Sequence, residues 1–266
     1  MKILITGGNG YIARSLYNAL KDQYEITPIT RKHFDLTDYQ ETRKWFKTEY
    51  DVVIHTAAVG GTRLQPDVET VLQDNLTMYS NLYANRDRFK KLISFGSGAE
   101  LFNPKSYYGM SKRSIASSIQ ETPNFYNLRI FATFDENELN TRFIKSNLIH
   151  YIKKEPMVIH TNKIMDFFYM QDLVSLVKYY IHNNGPKQIN CSYDTKYTLK
   201  NITTIINNLD IHRVPVVVEN INLLEFYCGD NPNFPVPILG LKCGIQNTFK
   251  ALCKTIINSN GDLNDA

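Results

Sequence analysis

The 266-residue chain suits one large domain or two small ones, and a globule this long buries roughly 70–75% of the surface that its unfolded form exposes. Its hydrophobic fraction of 43% and charged fraction of 21% are typical of soluble proteins, and its formal charge of +4 is too small to indicate nucleic-acid binding. Four widely spaced cysteines predict reduced, buried thiols in a cytosolic protein, and no apolar run approaches the ~20 residues of a membrane span. The first predicted strand begins at Lys2, which leaves no room for a signal peptide. We therefore expect a cytoplasmic protein without membrane or nucleic-acid partners.

The first half of the sequence alternates predicted strands and helices. The predicted strands are residues 2–6, 24–30, 51–57, 91–96 and 125–132. The predicted helices are residues 11–20, 38–50 and 68–86, and a fourth that ends at residue 122. Thr37 is the expected N-cap of the second helix. This βαβ alternation predicts an α/β fold with a doubly wound parallel sheet and helices on both faces.

After Thr133 the alternation stops. The second half contains predicted helices at residues 142–154, 172–182 and 244–257, short strands near residues 158–159 and 167–169, a Pro-rich loop at 232–237 and a polar tail at 259–266. We predict a single unit with a core of residues 1–133 and about 166–190. Residues 134–165 and 191–266 are expected to form a small cap over the carboxyl edge of the sheet, where open α/β sheets bind ligands.

A glycine-rich turn, residues 6–13 (TGGNGYIA), joins the first strand to the first helix. Gly7 allows a tight turn, and Gly10 lets the backbone approach a phosphate. The helix that opens at Tyr11 and Ile12 adds N–H donors and a positive dipole end. An ordinary βα turn is the alternative, but a strand before and a helix after are the context that this mechanism requires. The turn therefore predicts a dinucleotide-binding core.

The end of the second strand indicates which dinucleotide binds. NAD-binding proteins usually place an acidic residue there, whereas this chain has Arg31 followed by Lys32. A guanidinium suits a 2′-phosphate, so we predict NADPH as the cofactor, with the alternative that both residues are ordinary surface charges.

Further residues are expected to border the cofactor. Asp35 and Leu36 follow the second strand and are expected near the adenine. Ala57, Ala58 and Gly60 follow the third strand, where small residues leave space for the dinucleotide to pass.

Tyr108 and Lys112 lie four residues apart and share one side of a helix. A tyrosine with a pKa near 10 is a poor acid–base group at neutral pH, and we expect the nearby ammonium to lower that pKa. Ser97, just past the fourth strand, is the candidate donor for a substrate carbonyl. An exposed helical pair is the alternative, but the position of this pair after the fourth strand favours catalysis by Ser97, Tyr108 and Lys112.

Together these motifs resemble the extended short-chain dehydrogenase/reductase family, also called the NAD-dependent epimerase/dehydratase family. Residues 166–173 (DFFYMQDL) and 244–248 (GIQNT) are similar to two further family segments. The resemblance is greatest to the GDP-fucose synthase branch of nucleotide-sugar 4-reductases. It implies a Rossmann-type fold, a homodimer and NADPH-dependent reduction of a nucleotide-linked 4-keto-6-deoxy sugar in deoxysugar biosynthesis, without a metal.

The chain departs from that branch at the epimerase residues. The branch uses a cysteine shortly after the catalytic serine and a histidine in the substrate helix, where this chain has Ala99 and residues 139–143 (LNTRF). We therefore expect reduction without epimerisation. Arg142 and Lys145 are the predicted ligands of the substrate diphosphate, with solvated helix charges as the alternative.

Three other functions stay open on the sequence. One is an NAD-dependent nucleotide-sugar 4-epimerase, and another is a non-catalytic NADP(H)-binding regulator on the same fold. A dehydratase is disfavoured because Glu100 is displaced from the expected acidic position.

The apolar residues Ile115 and Ile119 could serve either a dimer face or the core of one chain.

Overall fold

The structure, a computed structural model, describes residues 1–62, 65–230 and 233–258. Pro232 of the predicted loop and the whole of the predicted tail lie outside these residues. The chain divides into two compact units, Met1–Ile130 with Val174–Asn190, and Phe131–Leu173 with Cys191–Ala266. We call them the first and the second unit.

The strands are β1 (Lys2–Thr6), β2 (Glu25–Ile29), β3 (Tyr50–His55), β4 (Phe89–Ser97), β5 (Phe125–Ile130), β6 (Thr133–Phe134), β7 (Met157–Met165), β8 (Phe168–Tyr169), β9 (Gln188–Cys191) and β10 (Val216–Tyr227). The helices are α1 (Tyr11–Leu20), α2 (Tyr39–Trp45), α3 (Glu69–Ala84), α4 (Ala99–Phe102), α5 (Tyr107–Glu121), α6 (Phe143–Lys153), α7 (Met170–His182), α8 (Leu199–Asn207) and α9 (Leu241–Asn258).

A six-stranded sheet organises the first unit. Its strand order is β2-β1-β3-β4-β5-β9, and β1 to β5 pair with their neighbours in parallel. Leu4 of β1 lies level with Thr27 of β2 and Val53 of β3. The predicted doubly wound α/β fold is therefore confirmed, and the carboxyl ends of neighbouring strands meet at one edge of the sheet.

Burial explains why these sequences form strands. Ile3, Leu4 and Ile5 are all fully buried, because both faces of a parallel sheet are covered by helices. Pro28 lies within β2 and has no backbone N–H. The strand tolerates this because it is at the edge of the sheet.

The start of α2 differs from the sequence prediction. Thr37 was the expected N-cap, but its N–H and hydroxyl both donate to Asp35 Oδ1, at 2.9 and 2.8 Å. Asp38 caps the helix instead, and its Oδ1 accepts from Glu41 N at 2.9 Å. The prediction of Thr37 is wrong because a side chain bonded to its own turn is not available to the helix.

The second unit contains two small sheets, β10 paired with β7 and β6 paired with β8, and the helices α6, α8 and α9. Thr198 and Asn201 form a capping box at the start of α8. The Asp172 carboxylate accepts hydrogen bonds from Leu239 N and Gly240 N at 2.7 and 3.0 Å, and so holds the segment that enters α9.

No helix among the described residues combines the length and apolar character that crossing a membrane requires. Cys191 is buried and the other three cysteines are half-buried, so the predicted burial of all four thiols holds fully for Cys191 alone.

Candidate active site

The glycine turn after β1 has the geometry of a phosphate cradle. Gly7 adopts a φ of +68°, and a Cβ at this position would lie 2.8 Å from the Ala57 backbone, so only glycine fits. Gly10 N donates to Gly7 O at 2.8 Å, which closes the turn directly before α1. Gly10 is the N-cap of α1 and has no side chain with which to cap it, so an anion can approach Tyr11 and Ile12. These residues fit the pyrophosphate of a dinucleotide.

The loop after β2 presents an exposed cation. Arg31 is exposed, and the Asp35 carboxylate lies close enough for electrostatic interaction with it. Hydrogen bonds from Thr37 are the main cause that holds the pKa of Asp35 below its usual value, and the Arg31 charge adds to them. Unlike the exposed Arg31 and Asp35, Leu36 has its side chain buried in the hydrophobic core.

The end of β3 is tied to the end of β1. Thr6 Oγ1 hydrogen-bonds His55 Nδ1 at 2.8 Å and accepts from Ala57 N at 3.2 Å. Burial lowers the pKa of His55 to about 3, so this imidazole is neutral. Ala57 is half-buried and Ala58 is exposed, so small side chains follow β3 at the edge of the sheet.

The structure brings Ser97, Tyr108 and Lys112 together. Ser97 ends β4, and its side chain hydrogen-bonds the Tyr108 side chain. Lys112 Nζ lies 5.6 Å from the centre of the Tyr108 ring and donates to Phe95 O at 2.9 Å. Ser106 caps α5 and accepts from Gly109 N at 3.0 Å, which fixes the first turn of this helix around Tyr108.

Burial controls the ionisation of this group. It raises the pKa of Tyr108 to about 12, with a smaller rise from the charge of Glu100, while the hydrogen bond to Ser97 acts in the opposite sense. Burial also lowers the pKa of Lys112 to about 8. The expectation that Lys112 lowers the pKa of Tyr108 is thus not met here, because loss of hydration is the largest influence on the phenol and raises its pKa.

The loop after β3 packs against the Tyr108 ring. Gly61 has a φ of +69°, and a Cβ there would lie 2.7 Å from the ring atoms Cε1 and Cζ. Asp67 Oδ1 accepts from Gly61 N at 2.8 Å and holds this loop. On the other side, Asn75 of α3 donates to the Ser111 hydroxyl at 3.1 Å, and that hydroxyl donates to Tyr108 O at 2.7 Å.

A buried ion pair lies directly behind Ser97. Glu100 Oε1 accepts from Ser97 N at 2.8 Å, and Arg129 Nε donates to Glu100 Oε2 at 2.8 Å. Because both oxygens of Glu100 are engaged, the carboxyl is not placed as a free catalytic acid, which disfavours the dehydratase alternative.

Arg142 and Lys145, the predicted diphosphate ligands, lie in the second unit. Arg142 is exposed at the N-cap of α6, and Lys145 Nζ donates to Glu138 O at 2.6 Å. Glu138 is 6% exposed, and burial raises its pKa to about 8.

In the described part of the chain, no group of three or more His, Cys, Asp or Glu residues is arranged to hold a metal ion.

A model of the NAD dependent epimerase/dehydratase family matches residues 3–192. The chain belongs to this family. The matched region contains the glycine turn, Ser97, Tyr108 and Lys112. The prediction of this family and the prediction that the chain is an enzyme are both confirmed.

Several solved structures share the fold of this family member. UDP-glucose 4-epimerase from Thermotoga maritima has a TM-score of 0.79 at 16% identity, covering 96% of this chain and 100% of that one. GDP-mannoheptose C4 reductase from Campylobacter jejuni, solved with NADP bound, has a TM-score of 0.77 at 18% identity, covering 95% and 98%. A GDP-L-fucose synthetase from Naegleria fowleri has a TM-score of 0.74 at 15% identity, covering 96% and 93%. These similarities extend over nearly the whole chain and support the fold.

Sequence patterns missed the residues that support the site. Glu100 and Arg129 are 29 positions apart, and Asn75 lies on a different helix from Ser111. The available signal was Arg129, a charged residue in the mainly apolar stretch 125–131 (FYNLRIF), and this signal does not identify its partner.

Proposed function

We propose that this enzyme catalyses the NADPH-dependent reduction of a nucleotide-linked 4-keto-6-deoxy sugar to the corresponding deoxyhexose. The observation that carries the proposal is the convergence of Ser97, Tyr108 and Lys112 at the carboxyl edge of the sheet, in the unit that also contains the glycine turn. Open α/β sheets bind dinucleotides and their substrates at this edge.

Each of the three residues has a distinct role in the proposed reaction. The Ser97 and Tyr108 hydroxyls bind the carbonyl oxygen and stabilise the charge that develops on it. Tyr108 then donates its proton to that oxygen. Lys112 supplies positive charge beside the phenol. A bound NADPH supplies the hydride.

The ionisation of Tyr108 fits the direction of this reaction. With a pKa of about 12 the phenol carries its proton at neutral pH, and a reduction requires a proton donor. Lys112, with a pKa of about 8, is mostly an ammonium at pH 7. The resting protonation state is therefore the one that reduction consumes.

NADPH is proposed over NADH because Arg31 is exposed where a 2′-phosphate would bind. Asp35 Oδ1 accepts two hydrogen bonds from Thr37, which hold this carboxylate against its own turn.

We also propose that the enzyme does not epimerise its substrate. Taking a proton from a sugar carbon requires a base, and Ala99 and residues 139–143 provide neither a thiol nor an imidazole.

Arg142 and Lys145 are proposed to bind the substrate diphosphate. The working form is proposed to be a cytoplasmic homodimer.

The test is turnover by the purified chain. NADPH oxidation is followed at 340 nm with GDP-, dTDP-, UDP- and CDP-linked 4-keto-6-deoxy sugars, and NADH serves as the matched comparison. We expect oxidation with at least one of them and a lower KM for NADPH than for NADH. Tightly retained NAD without net consumption would instead identify an epimerase. Cofactor binding with no turnover of any nucleotide sugar would favour the regulator.

A further inference from the structure

A buried, doubly anchored carboxylate touches the backbone of Ser97. Glu100 is one of the least exposed charged residues described, with a side chain 2% exposed, and its Arg129 partner is 13% exposed. Burying such a pair is costly unless its geometry is good and its remaining hydrogen bonds are satisfied, so a buried pair is weak evidence of a purely stabilising role.

The pair is held from both ends. Arg129 Nε donates to Glu100 Oε2 at 2.8 Å, and the two terminal nitrogens of Arg129 donate to Asn190 Oδ1 at 2.9 Å and Gln188 Oε1 at 2.7 Å. The guanidinium therefore has a fixed orientation between β5 and β9. This orientation leaves Glu100 Oε1 directed at Ser97 N, from which it accepts at 2.8 Å.

The neighbouring backbone is shaped to admit the carboxylate. A Cβ on Gly96 would lie only 2.3 Å from Glu100 Oε1, so the approach of Glu100 to β4 depends on this glycine. Gly98 N donates to Ile130 O at 2.8 Å, and Ala99 N donates to Ser97 Oγ at 3.2 Å. The turn that carries Ser97 is thus fixed on both sides.

We propose that Glu100, clamped by Arg129, is a positioning residue that holds the Ser97 backbone so that the Ser97 hydroxyl meets the hydroxyl of Tyr108. This role rests on the proposed reductase function. Glu100 acts through Ser97 and does not itself touch the substrate. Its charge also reaches the site, since it acts to raise the pKa of Tyr108 and of Lys112, although burial is the larger influence on both.

Two variants separate positioning from charge. Glu100→Ala removes the acceptor of Ser97 N but leaves Arg129 as a lone buried cation. Glu100→Gln combined with Arg129→Met removes both charges and keeps an oxygen that can accept from Ser97 N. Crystal structures with NADP bound should show the Ser97–Tyr108 hydrogen bond lost in the first variant and kept in the second. Retention of this hydrogen bond in Glu100→Ala would overturn the proposal.

Kinetics add a double-mutant cycle with Ser97→Ala. We expect Glu100→Ala to lower kcat by about 10–100-fold with little change in the KM for NADPH, since misplacing one oxyanion donor removes transition-state stabilisation. In the Ser97→Ala background the same change should cost less than about threefold, because its effect passes through Ser97. Multiplicative losses would show that Glu100 acts independently of Ser97 and would refute the proposal.

A further variant covers the case in which Glu100→Ala does not fold. Gly96→Ala keeps both charges but pushes the carboxylate away from Ser97 N, and it should produce the same loss and the same non-additivity with Ser97→Ala. If the wild-type chain reduces no nucleotide sugar, the proposed function fails, while the crystal structures still decide whether Glu100 positions Ser97.

Discussion

Burial acts in opposite directions on the two ionisable residues of the site. It raises the pKa of Tyr108 to about 12 and lowers that of Lys112 to about 8. Between pH 7 and 10, therefore, Lys112 is the member of the pair that changes charge. The lysine is 7% exposed, so its hydration is almost entirely lost on folding.

Lys112 should make stability depend on pH. Its pKa in the folded chain lies below the ordinary lysine value of 10.5, so the unfolded chain binds more protons between about pH 8 and 10.5. Its contribution to the free energy of unfolding is thus unfavourable at pH 7 and is relieved as pH rises. Relative to Lys112→Met, the wild-type chain should gain about 2–3 kcal/mol between pH 7 and 10.5, measured by urea denaturation. Lys105→Met, at an exposed position, controls for loss of a lysine; a pH-independent difference for Lys112→Met would contradict the burial argument.

Arg31 should decide the choice between the two nicotinamide cofactors. Arg31→Ser removes the proposed 2′-phosphate contact, so the Kd for NADPH should rise about 10–100-fold while that for NADH changes little. Lys32→Ser, at the next exposed cation, is the matched control and should have a much smaller effect. Fluorescence titration measures both constants, and equal losses from the two variants would show that only general surface charge matters.

The sequence identified the residues of this site that belong to local motifs. The glycine turn and the Tyr108–Lys112 pair each lie within a few positions on one element, so their spacing alone predicts their proximity. The Glu100–Arg129 pair depends on the alignment of β4 with β5, in which Gly96 lies level with Arg129. The pairing of strands depends on the whole sheet. It cannot be predicted from the local sequence around Glu100 or Arg129.

At the scale of elements, the connection from β1 to α1 depends on a backbone conformation that side chains resist. Gly7→Ala combines a strained φ of +68° with a Cβ 2.8 Å from Ala57. Gly240→Ala is the matched control, because Gly240 has a φ of +85° but nothing within 4 Å of its added Cβ. We expect Gly240→Ala to cost about 1 kcal/mol and to leave NADPH binding intact.

Gly7→Ala should cost more than this control and should weaken NADPH binding by at least about tenfold, since the clash distorts the turn. Thermal denaturation and NADPH titration measure the two effects. Equal behaviour of the two variants would show that the strained φ alone, and not contact with Ala57, fixes this connection.

Helices and strands differed in how well they could be predicted. The strongly apolar strands of the first unit match the prediction, because a buried parallel strand is apolar throughout. The strand β10 was missed, since its register shifts between Asn220 and Glu225 and its sequence contains residues that disfavour strands. The second helix was predicted too long, as it ends at Trp45 before the buried Phe46.

At the scale of the whole molecule, the core of the first unit includes two residues for which the sequence left open either a dimer face or the core of one chain. Ile115 and Ile119 are 4% and 0% exposed and belong to the main hydrophobic cluster with Leu82 and Phe125. The alternative that these isoleucines serve the core of one chain is therefore the one that the structure supports.

Ile119→Ala should act on stability and not on assembly. Removing its buried methylene and methyl groups should lower the free energy of unfolding by about 2–5 kcal/mol. The oligomeric state, measured by light scattering at matched concentration, should stay as in the wild type. Dissociation without a loss of unfolding free energy would place Ile119 at an interface instead.

The reaction itself is tested most directly by following the hydride. NADPH carrying deuterium at both positions of the nicotinamide C4 is incubated with a substrate identified by the turnover panel. If NADPH delivers its hydride to the sugar carbonyl, mass spectrometry will show one deuterium on C4 of the deoxyhexose product. We also expect Tyr108→Phe to bind NADPH normally but to lower the rate of transfer by at least about 10²-fold. A product without deuterium at C4, or undiminished transfer by the phenylalanine variant, would contradict this mechanism.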